Sequence, residues 1–403
     1  MVNDILKGRD IIVVGQQPWD VEIGSNCKNL ALEFSRHNRV LYVNSALDRR
    51  NKIKNADDPK IQKRVEVVNG RMDGLVELKE NLWNLYPDEI IESINWMPHN
   101  FIYTFLNRIN NRRFARSIDK AAKRLGFNNY ILFNDDDLFK SFYLKEMLKP
   151  ALSIFYSRDY LLSVDYWKVH GKTMEPALIK KSDLCVANST YLAAYCKKYN
   201  PNSHYVGQGC DLEMFTNQQE LPIPADVEPI KKPVIGYVGA LQSIRLDIEL
   251  LEHIAKTKPE WSIVLVGPED EVFRASNLHQ IKNIHFLGGK DPSTLPSYIN
   301  SFDVCLNPQS VNQVTIGNYP RKIDEYLAMG KPTVATRTEA MSVFEEHTYL
   351  GATKEDYVTL IEKALTEDSA EKQQQRIGFA TTHTWENNVK EIYKAINQTE
   401  RRK

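Results

Sequence analysis

The sequence lacks several features that would assign it to a specialised class of protein. Its five cysteines are scattered and odd in number, and no pair has metal-ligand spacing, which favours free thiols in a reducing compartment. No stretch approaches the roughly 18 consecutive apolar residues of a membrane-spanning helix. The polar N-terminus does not resemble a signal peptide. We therefore expect a cytoplasmic protein.

The chain also has no excess of charge of one sign. Lys plus Arg and Asp plus Glu both number 52, so the formal net charge is 0, and no general footprint for nucleic acid is present. Apolar residues make up 42% and charged residues 26%, which is ordinary for a globular chain. A length of 403 residues predicts two domains.

Apolar runs typical of buried strands alternate with helical periodicity on both sides of a proline-rich stretch. The predicted strands are 10–15, 39–44, 81–86, 130–133, 152–156 and 182–187, then 233–239, 261–268, 283–289, 302–306 and 333–336. Strand–helix–strand units build parallel sheets with right-handed crossovers. We therefore predict an α/β protein with two Rossmann-like domains that face a cleft. Their boundaries are predicted as 1–221, a linker over 222–232, 233–383, and a final helix over 384–403.

The most informative stretch runs from Ile316 to Thr336. Pro320 fits the first turn of a helix, Gly330 can end that helix in the left-handed conformation, and Pro332 prevents its continuation. The apolar face of the helix has i, i+3, i+4 spacing and consists of Ile323, Tyr326 and Leu327. This pattern predicts a loop, a short helix, a tight turn and a buried strand.

The polar face of this helix combines cations with a carboxylate. Arg321 and Lys322 lie beside the unpaired N–H groups of the first turn, where a phosphate is stabilised. Glu325 would repel a phosphate, but it can accept hydrogen bonds from both hydroxyls of a vicinal diol. A nucleoside diphosphate presents both groups. The alternative, which the residues alone favour, is a solvated face with Arg321 and Glu325 as an i,i+4 pair.

Residues 325–332, with Val334, resemble the donor-site helix of GT-B glycosyltransferases, specifically the retaining family 4. Pro320 and Lys322 resemble the branch that includes teichuronic acid and exopolysaccharide glycosyltransferases. The resemblance implies that the helix amides face the donor diphosphate, that Glu325 holds the ribose, and that the final helix crosses back to the first domain.

The resemblance also implies the remaining donor-side residues. The donor-binding set is Gly239, Gly289, Gly317, Asn318, Tyr319, Arg321 and Glu325, and the catalytic cations are Arg245 and Lys322. Two positions depart from the family pattern. Ala240 replaces an arginine, and Gly317 replaces the first glutamate of a Glu-x7-Glu pattern, so the backbone of 315–319 is expected to approach the sugar instead.

Acidic residues follow the predicted strand 130–133, at the edge where α/β sheets bind ligands. Three interpretations stay open for Asp135, Asp136 and Asp137. They orient or deprotonate an acceptor hydroxyl, or Asp135 and Asp137 bind a divalent metal as in GT-A enzymes, or Asp137 caps the next helix. We assign Asp135 as catalytic and place Gly24, Asp136 and Asp159 on the acceptor side, with no metal ligand.

The sequence also predicts the structure of three further segments. Residues 48–64 are predicted as a mobile surface loop, and residues 175–177 as the start of a helix. A helix over 101–125 carries seven basic residues, which suggests contact with an anionic membrane. We favour a solvated helix whose apolar stripe, formed by Phe101, Phe105, Ile109 and Ile118, packs into the core.

The resemblance implies a retaining, metal-independent glycosyltransferase without a cofactor. It would move a sugar from a nucleotide diphosphate sugar to a carbohydrate or lipid-linked saccharide acceptor in cell-surface polysaccharide biosynthesis. One alternative is a nucleotide-sugar epimerase or hydrolase on the same fold. The other is a non-catalytic sugar-nucleotide-binding protein, which Ala240 and Gly317 suggest.

Overall fold

The computed structural model describes residues 5–21, 25–216 and 221–402. The chain folds into two compact units, which are described separately: unit 1 comprises residues 1–207 and 385–403, and unit 2 comprises residues 208–384. Helices and strands are numbered in chain order through both units.

Unit 1 is built on a large sheet. Its strands are β1 (Asp10–Gly15), β2 (Arg39–Val43), β4 (Leu75–Lys79), β5 (Leu82–Leu85), β7 (Ile131–Asp135), β8 (Leu152–Ser157), β9 (Leu184–Ala187) and β10 (Ser203–Tyr205), and β3 (Leu47–Asp48) pairs separately with β6 (Ile90–Ile91). The sheet order is β10-β9-β8-β7-β1-β2-β5-β4. Pairing is parallel except between β4 and β5. The strand order reverses between β1 and β7, so the loops after these two strands flank the crevice where such sheets bind ligands.

Helices cover the sheet of unit 1. They are α1 (Asn26–Phe34), α2 (Arg49–Lys54), α3 (Pro59–Val68), α4 (Phe101–Arg124), α5 (Leu144–Leu148), α6 (Asp165–Lys181) and α7 (Thr190–Lys197), together with α15 (Trp385–Glu400). The final helix α15 belongs to this unit because its apolar face joins the core around Phe34 and Phe133. The Asn38 side-chain amide also donates to the Tyr393 hydroxyl at 2.9 Å.

Unit 2 has a six-stranded parallel sheet. Its strands are β11 (Val234–Val238), β12 (Ser262–Val266), β13 (Ile284–Gly288), β14 (Val304–Asn307), β15 (Thr333–Thr336) and β16 (Tyr349–Gly351), in the order β13-β12-β11-β14-β15-β16. Its helices are α8 (Glu213–Thr216), α9 (Ile248–Thr257), α10 (Glu271–Arg274), α11 (Leu295–Ser301), α12 (Lys322–Ala328), α13 (Lys354–Glu367) and α14 (Ala370–Ala380). The strand order reverses between β11 and β14. Two parallel α/β sheets confirm the predicted fold class.

Three local predictions are wrong. Residues 48–64 are not a loop, because Asp48 and Asp58 cap α2 and α3 through their side chains. The helix predicted to start at residue 175 begins at Asp165 and contains Pro176 in its interior. Helix α12 starts at Lys322, so Pro320 precedes the helix rather than occupying its first turn.

The proline-rich stretch and the segment that precedes it belong to unit 2. Leu212, Phe215 and Val227 are buried in the core of that unit, and Ile230 packs against the same core. The boundary between the units therefore lies at 207/208, whereas the sequence placed it at 221/222.

All five cysteines are among the described residues, and none of them forms a disulfide. Within the described ranges, none of the helices combines the length and the hydropathy that crossing a lipid bilayer requires.

Candidate functional site

Unit 2 brings the predicted donor-side residues to the end of β11. Gly239 follows that strand with φ +142°, a conformation that favours glycine, and its N–H donates to the Val266 carbonyl at 2.9 Å. A Cβ on Gly239 would lie 3.1 Å from Lys322 Cε and 3.3 Å from Lys322 Nζ. The Lys322 ammonium therefore lies directly over this glycine, at the point where the strand order reverses.

Helix α12 is held in place by its buried face. The Tyr326 hydroxyl accepts a hydrogen bond from the Val238 N–H at 2.9 Å, which ties the helix to the end of β11. At the other end, Gly330 has φ +70° and the Lys331 N–H returns to the Tyr326 carbonyl. The predicted glycine stop is confirmed. These contacts fix the direction in which Lys322 and Glu325 leave the helix.

Glu325 is half-buried and lies one turn beyond the two cations. Burial raises the pKa of its carboxyl, an effect that Lys322 and then Arg321 oppose and Asp324 reinforces. Lys322 Nζ lies 5.0 Å from the centre of the Tyr237 ring. Both charged groups therefore lie beside the ligand-binding edge of the sheet.

The predicted phosphate clamp Arg245 lies on the loop after β11. Its carbonyl accepts from the Ser310 N–H at 2.9 Å, and the Asn312 side chain donates to the Ile244 carbonyl at 2.7 Å. This loop therefore runs beside the 308–321 loop that leads into α12. The exposed guanidinium of Arg245 makes no hydrogen bond or ion pair within the described residues.

The remaining donor-side candidates differ in their surroundings. Gly317 is buried and Asn318 is half-buried in the loop before α12, while Gly289 is exposed and a Cβ there would meet only ordinary contacts with Pro268. Arg321 is exposed at the start of α12. Tyr319 is buried, and its hydroxyl lies 3.2 Å from His383 Nδ1.

Sequence reasoning missed a buried polar cluster behind α12. Asp324 Oδ1 lies 2.6 Å from His383 Nδ1, and the Cys210 thiol donates to Asp324 Oδ2 at 3.2 Å. The Cys210 N–H also donates to the His383 carbonyl at 2.9 Å. These residues join α12 to the first and last segments of unit 2. They are too far apart in the sequence for spacing to reveal them.

Unit 1 places a second set of charged residues at the corresponding edge of its own sheet. Asp135 is fully buried at the end of β7, and Arg158 Nε donates to its Oδ1 at 2.9 Å. Arg158 also contacts Asp159 at 2.7 Å. Burial raises the pKa of Asp135 more than Arg158 lowers it. The predicted catalytic Asp135 is therefore one partner of an ion pair.

Asp136, the next residue, is buried without such a partner. Neither of its carboxylate oxygens has a hydrogen-bond partner within the described residues. Its backbone adopts φ +56°, which is uncommon for a residue other than glycine, and its carbonyl accepts a hydrogen bond from the Gln16 side chain. Burial raises its pKa well above the usual range, and the nearby Glu175 adds to this effect. At this edge Asp135 is therefore held by Arg158, whereas the buried carboxyl of Asp136 has no hydrogen-bond partner within the described residues.

The sequence did not reveal the acidic residue Glu175 near this edge, and it left the role of Asp137 open. Glu175 is buried, and it accepts a hydrogen bond from the Tyr195 hydroxyl at 2.8 Å while burial raises its pKa to about 7. The Asp137 carboxylate accepts from the N–H groups of Phe139 and Lys140 and from the Ser141 hydroxyl. Asp137 therefore caps the turn that follows it, at residues 139–141. The predicted acceptor-side Gly24 lies outside the described residues.

Comparison with known proteins shows what the chain is similar to in sequence. Residues 232–367 match the family described as glycosyl transferases group 1. A protein of Bacillus subtilis named as the teichuronic acid biosynthesis glycosyltransferase TuaH is 26% identical over 275 residues, which cover 61% of this chain and 68% of that protein.

Solved structures share the fold over nearly the whole chain. HepE of Anabaena in complex with UDP has a TM-score of 0.63 and 13% identity, and the match covers 97% of this chain and 100% of that one. Sucrose-phosphate synthase of Thermosynechococcus elongatus has a TM-score of 0.61 and 13% identity, and the match covers 98% of this chain and 100% of that one.

The chain therefore has the GT-B fold, and the class of enzyme is glycosyltransferase. Within that class, the unit 2 segment 232–367 is a glycosyl transferases group 1 domain, and the family resemblance inferred from α12 is confirmed.

Proposed function

We propose that this glycosyltransferase binds a nucleoside diphosphate sugar on unit 2 and transfers the sugar, with retention and without a metal ion, to a saccharide hydroxyl. The observation that carries the proposal is the arrangement of Lys322 and Glu325 beside Gly239. A cation and a carboxylate one helical turn apart match the diphosphate and the ribose diol of such a donor.

The charges in unit 2 suit the departure of a diphosphate. As the bond from the sugar's anomeric carbon to the diphosphate oxygen breaks, negative charge develops on the leaving group. Lys322, next to Gly239, and the exposed guanidinium of Arg245 would stabilise that charge. The acceptor oxygen forms the new bond to the same carbon and gives its proton to the leaving diphosphate, so no protein nucleophile is required.

The acceptor side of the proposal rests on unit 1. Asp136 lies at the edge where sheets of this type bind ligands, and within the described residues neither of its buried carboxylate oxygens has a hydrogen-bond partner. We propose that it forms a hydrogen bond with the acceptor. The similarity to a protein named for teichuronic acid biosynthesis supports an acceptor that belongs to a cell-surface polysaccharide or its lipid-linked precursor.

The donor assignment is tested by binding of nucleoside diphosphates. UDP, GDP, ADP and TDP are compared by thermal shift and calorimetry, with Mg²⁺ or a chelator. We expect one base to stabilise the protein regardless of chelator, by mass action. UDP is measured first, since HepE was solved with it. Stabilisation that requires Mg²⁺ would contradict metal independence.

A substitution then tests the role of Glu325. Glu325→Ala should weaken binding of the preferred nucleotide by about 1.5–3 kcal/mol, the contribution of a hydrogen bond to a charged group. Glu346→Ala, at an exposed position of the same unit, is the matched control. Unchanged affinity in Glu325→Ala would remove the ribose assignment.

Turnover separates the alternatives. Label from the nucleotide sugar should enter an acceptor fraction of lipid-linked saccharides. Consumption of the donor without any acceptor would instead indicate a hydrolase or an epimerase. Nucleotide binding without any turnover would indicate a non-catalytic binding protein.

A further inference from the structure

Helix α4 exposes an aromatic stripe that the sequence placed in the core. Phe101 is 82% exposed and Phe105 is 64% exposed, whereas the buried face is formed by Tyr103, Phe114 and Ile118. The expectation that Phe101 and Phe105 pack inward is therefore wrong. Spacings of three and four residues continue the same exposed face into basic residues, namely Arg108 and Arg112.

Neighbouring segments extend this stripe. Trp96 is 75% exposed, and its indole N–H donates to the Ser93 carbonyl at 2.8 Å. The Ser93 hydroxyl accepts from the Arg50 N–H at 3.0 Å, which brings the start of α2 to the same place. The start of α6 joins through Tyr166, whose hydroxyl accepts from the Asn95 side chain at 2.7 Å.

We name this region the aromatic–basic surface. Its exposed apolar members are Ile53, Trp96, Phe101, Ile102, Phe105, Tyr166 and Val169. Clustered apolar side chains of this size mark a binding surface, whereas scattered ones do not.

Basic residues outnumber acidic ones on the aromatic–basic surface, although Asp165 is exposed beside Tyr166 at the start of α6. Helix α2 (Arg49–Lys54) contains four basic residues and no acidic one. From Ser93 to Ser117 the chain contains four arginines and no acidic residue. Glu92 pairs with Arg49 and Arg113, which leaves Arg50, Arg108 and Arg112 as exposed cations without ion pairs within the described residues.

We propose that the aromatic–basic surface binds an anionic lipid bilayer peripherally. Trp and Phe side chains insert at the level of the lipid headgroups, and surrounding Lys and Arg attract anionic lipids. A second copy of this chain fits less well, because a two-fold contact would place the same cations against each other. Binding would bring the enzyme to a lipid-linked acceptor, and that use rests on the proposed function.

Flotation of the full chain with lipid vesicles tests this proposal. One vesicle is pure phosphatidylcholine and the other contains added phosphatidylglycerol. We expect the wild type to float with the anionic vesicles and only weakly with the neutral ones. Flotation with neither vesicle would overturn the proposal.

Two double variants test the surface itself. Phe101→Ser/Phe105→Ser removes the aromatic stripe, and Arg108→Glu/Arg112→Glu reverses its charge without touching the core. Each should reduce the lipid partition coefficient by about tenfold or more. The matched controls are Val272→Ser/Val311→Ser and Lys180→Glu/Lys282→Glu, at exposed positions elsewhere. An equal loss of lipid binding in the controls, or no loss of lipid binding in either test variant, would contradict the assignment.

Two companion measurements distinguish lipid binding from self-association and from nucleotide binding. Sedimentation that shows a dimer lost in Phe101→Ser/Phe105→Ser would assign the surface to self-association and overturn the lipid proposal. Nucleotide binding is measured on the same samples, because the proposed donor residues lie in unit 2. Lipid binding without nucleotide binding would refute the donor proposal alone, and nucleotide binding without lipid binding would refute only the lipid proposal.

Discussion

The two units place different sets of charged groups at equivalent positions of similar sheets. In each unit, the candidate residues follow the strands between which the strand order reverses, which are β1 and β7 in unit 1 and β11 and β14 in unit 2. In unit 1, Arg158 pairs with the buried carboxyl of Asp135 and the half-exposed carboxyl of Asp159, and the buried carboxyl of Asp136 is the next residue after Asp135. Unit 2 gathers the accessible cations Arg245, Arg321 and Lys322.

This difference shows that the fold supplies the place for a ligand while the side chains decide which ligand suits it. Exposed cations match an anionic diphosphate that arrives from solvent. Buried carboxyl groups with raised pKa values match neutral hydroxyls, with which a protonated or ionised carboxyl can form hydrogen bonds. The charged groups of unit 1 should therefore determine stability, whereas those of unit 2 should determine affinity.

The largest effect is expected from Arg158→Met in unit 1. The substitution leaves Asp135 fully buried without its partner, which should lower the free energy of unfolding by about 3–5 kcal/mol. Chemical denaturation measures this change in the free energy of unfolding. Arg124→Met is the control, because the ion pair of Arg124 with Asp73 is exposed and should contribute little. Equal effects of the two substitutions would show that the buried pair is not special.

The sequence predicted the parts of the fold that depend on local pattern. Alternating strands and helices, the helix before Gly330 and its left-handed stop follow from periodicity and glycine chemistry, and the structure confirms them. The resemblance of α12 identified the right family because residues 316–336 are contiguous. Local signals were also available for α2 and α3, since Asp48 and Asp58 are favourable caps, but the charges of this segment suggested a loop.

The sequence could not predict features that depend on which side of an element faces the core. Phe101 and Phe105 have the same spacing as a buried stripe, and only the packing of Tyr103 and Phe114 shows which face is inside. Likewise, Glu175 meets Tyr195, and Asp324 meets His383, through tertiary contacts with no sequence signature.

The second expected effect is a pH dependence that comes from Glu175. Burial raises its pKa from the ordinary 4.5 to about 7, a difference that corresponds to about 3 kcal/mol. The contribution to stability is complete below pH 4.5, falls as the pH rises towards 7, and levels off above that value. Glu175→Gln keeps an acceptor for the Tyr195 hydroxyl and cannot ionise.

Unfolding free energies of the wild type and Glu175→Gln should therefore diverge with rising pH, the variant being favoured at neutral pH. Denaturation curves between about pH 4.5 and 8 measure the difference. Parallel pH profiles of the two proteins would mean that Glu175 titrates normally and that the contrast between the units is weaker than its burial suggests.

The smallest effect on stability, and the one that separates the two units most clearly, is expected from Lys322→Met. Lys322 borders Gly239 in the proposed donor site, so its loss should weaken nucleoside diphosphate binding about 10- to 150-fold, as expected for a charged hydrogen bond of about 1.5–3 kcal/mol. Calorimetry measures this affinity, with Lys282→Met as an exposed control. The free energy of unfolding should change by no more than about 1 kcal/mol, the contribution of a contact such as that between Lys322 and the Tyr237 ring. The reverse pattern, lost stability with unchanged affinity, would make Lys322 a structural residue and would end the contrast on which the donor assignment to unit 2 depends.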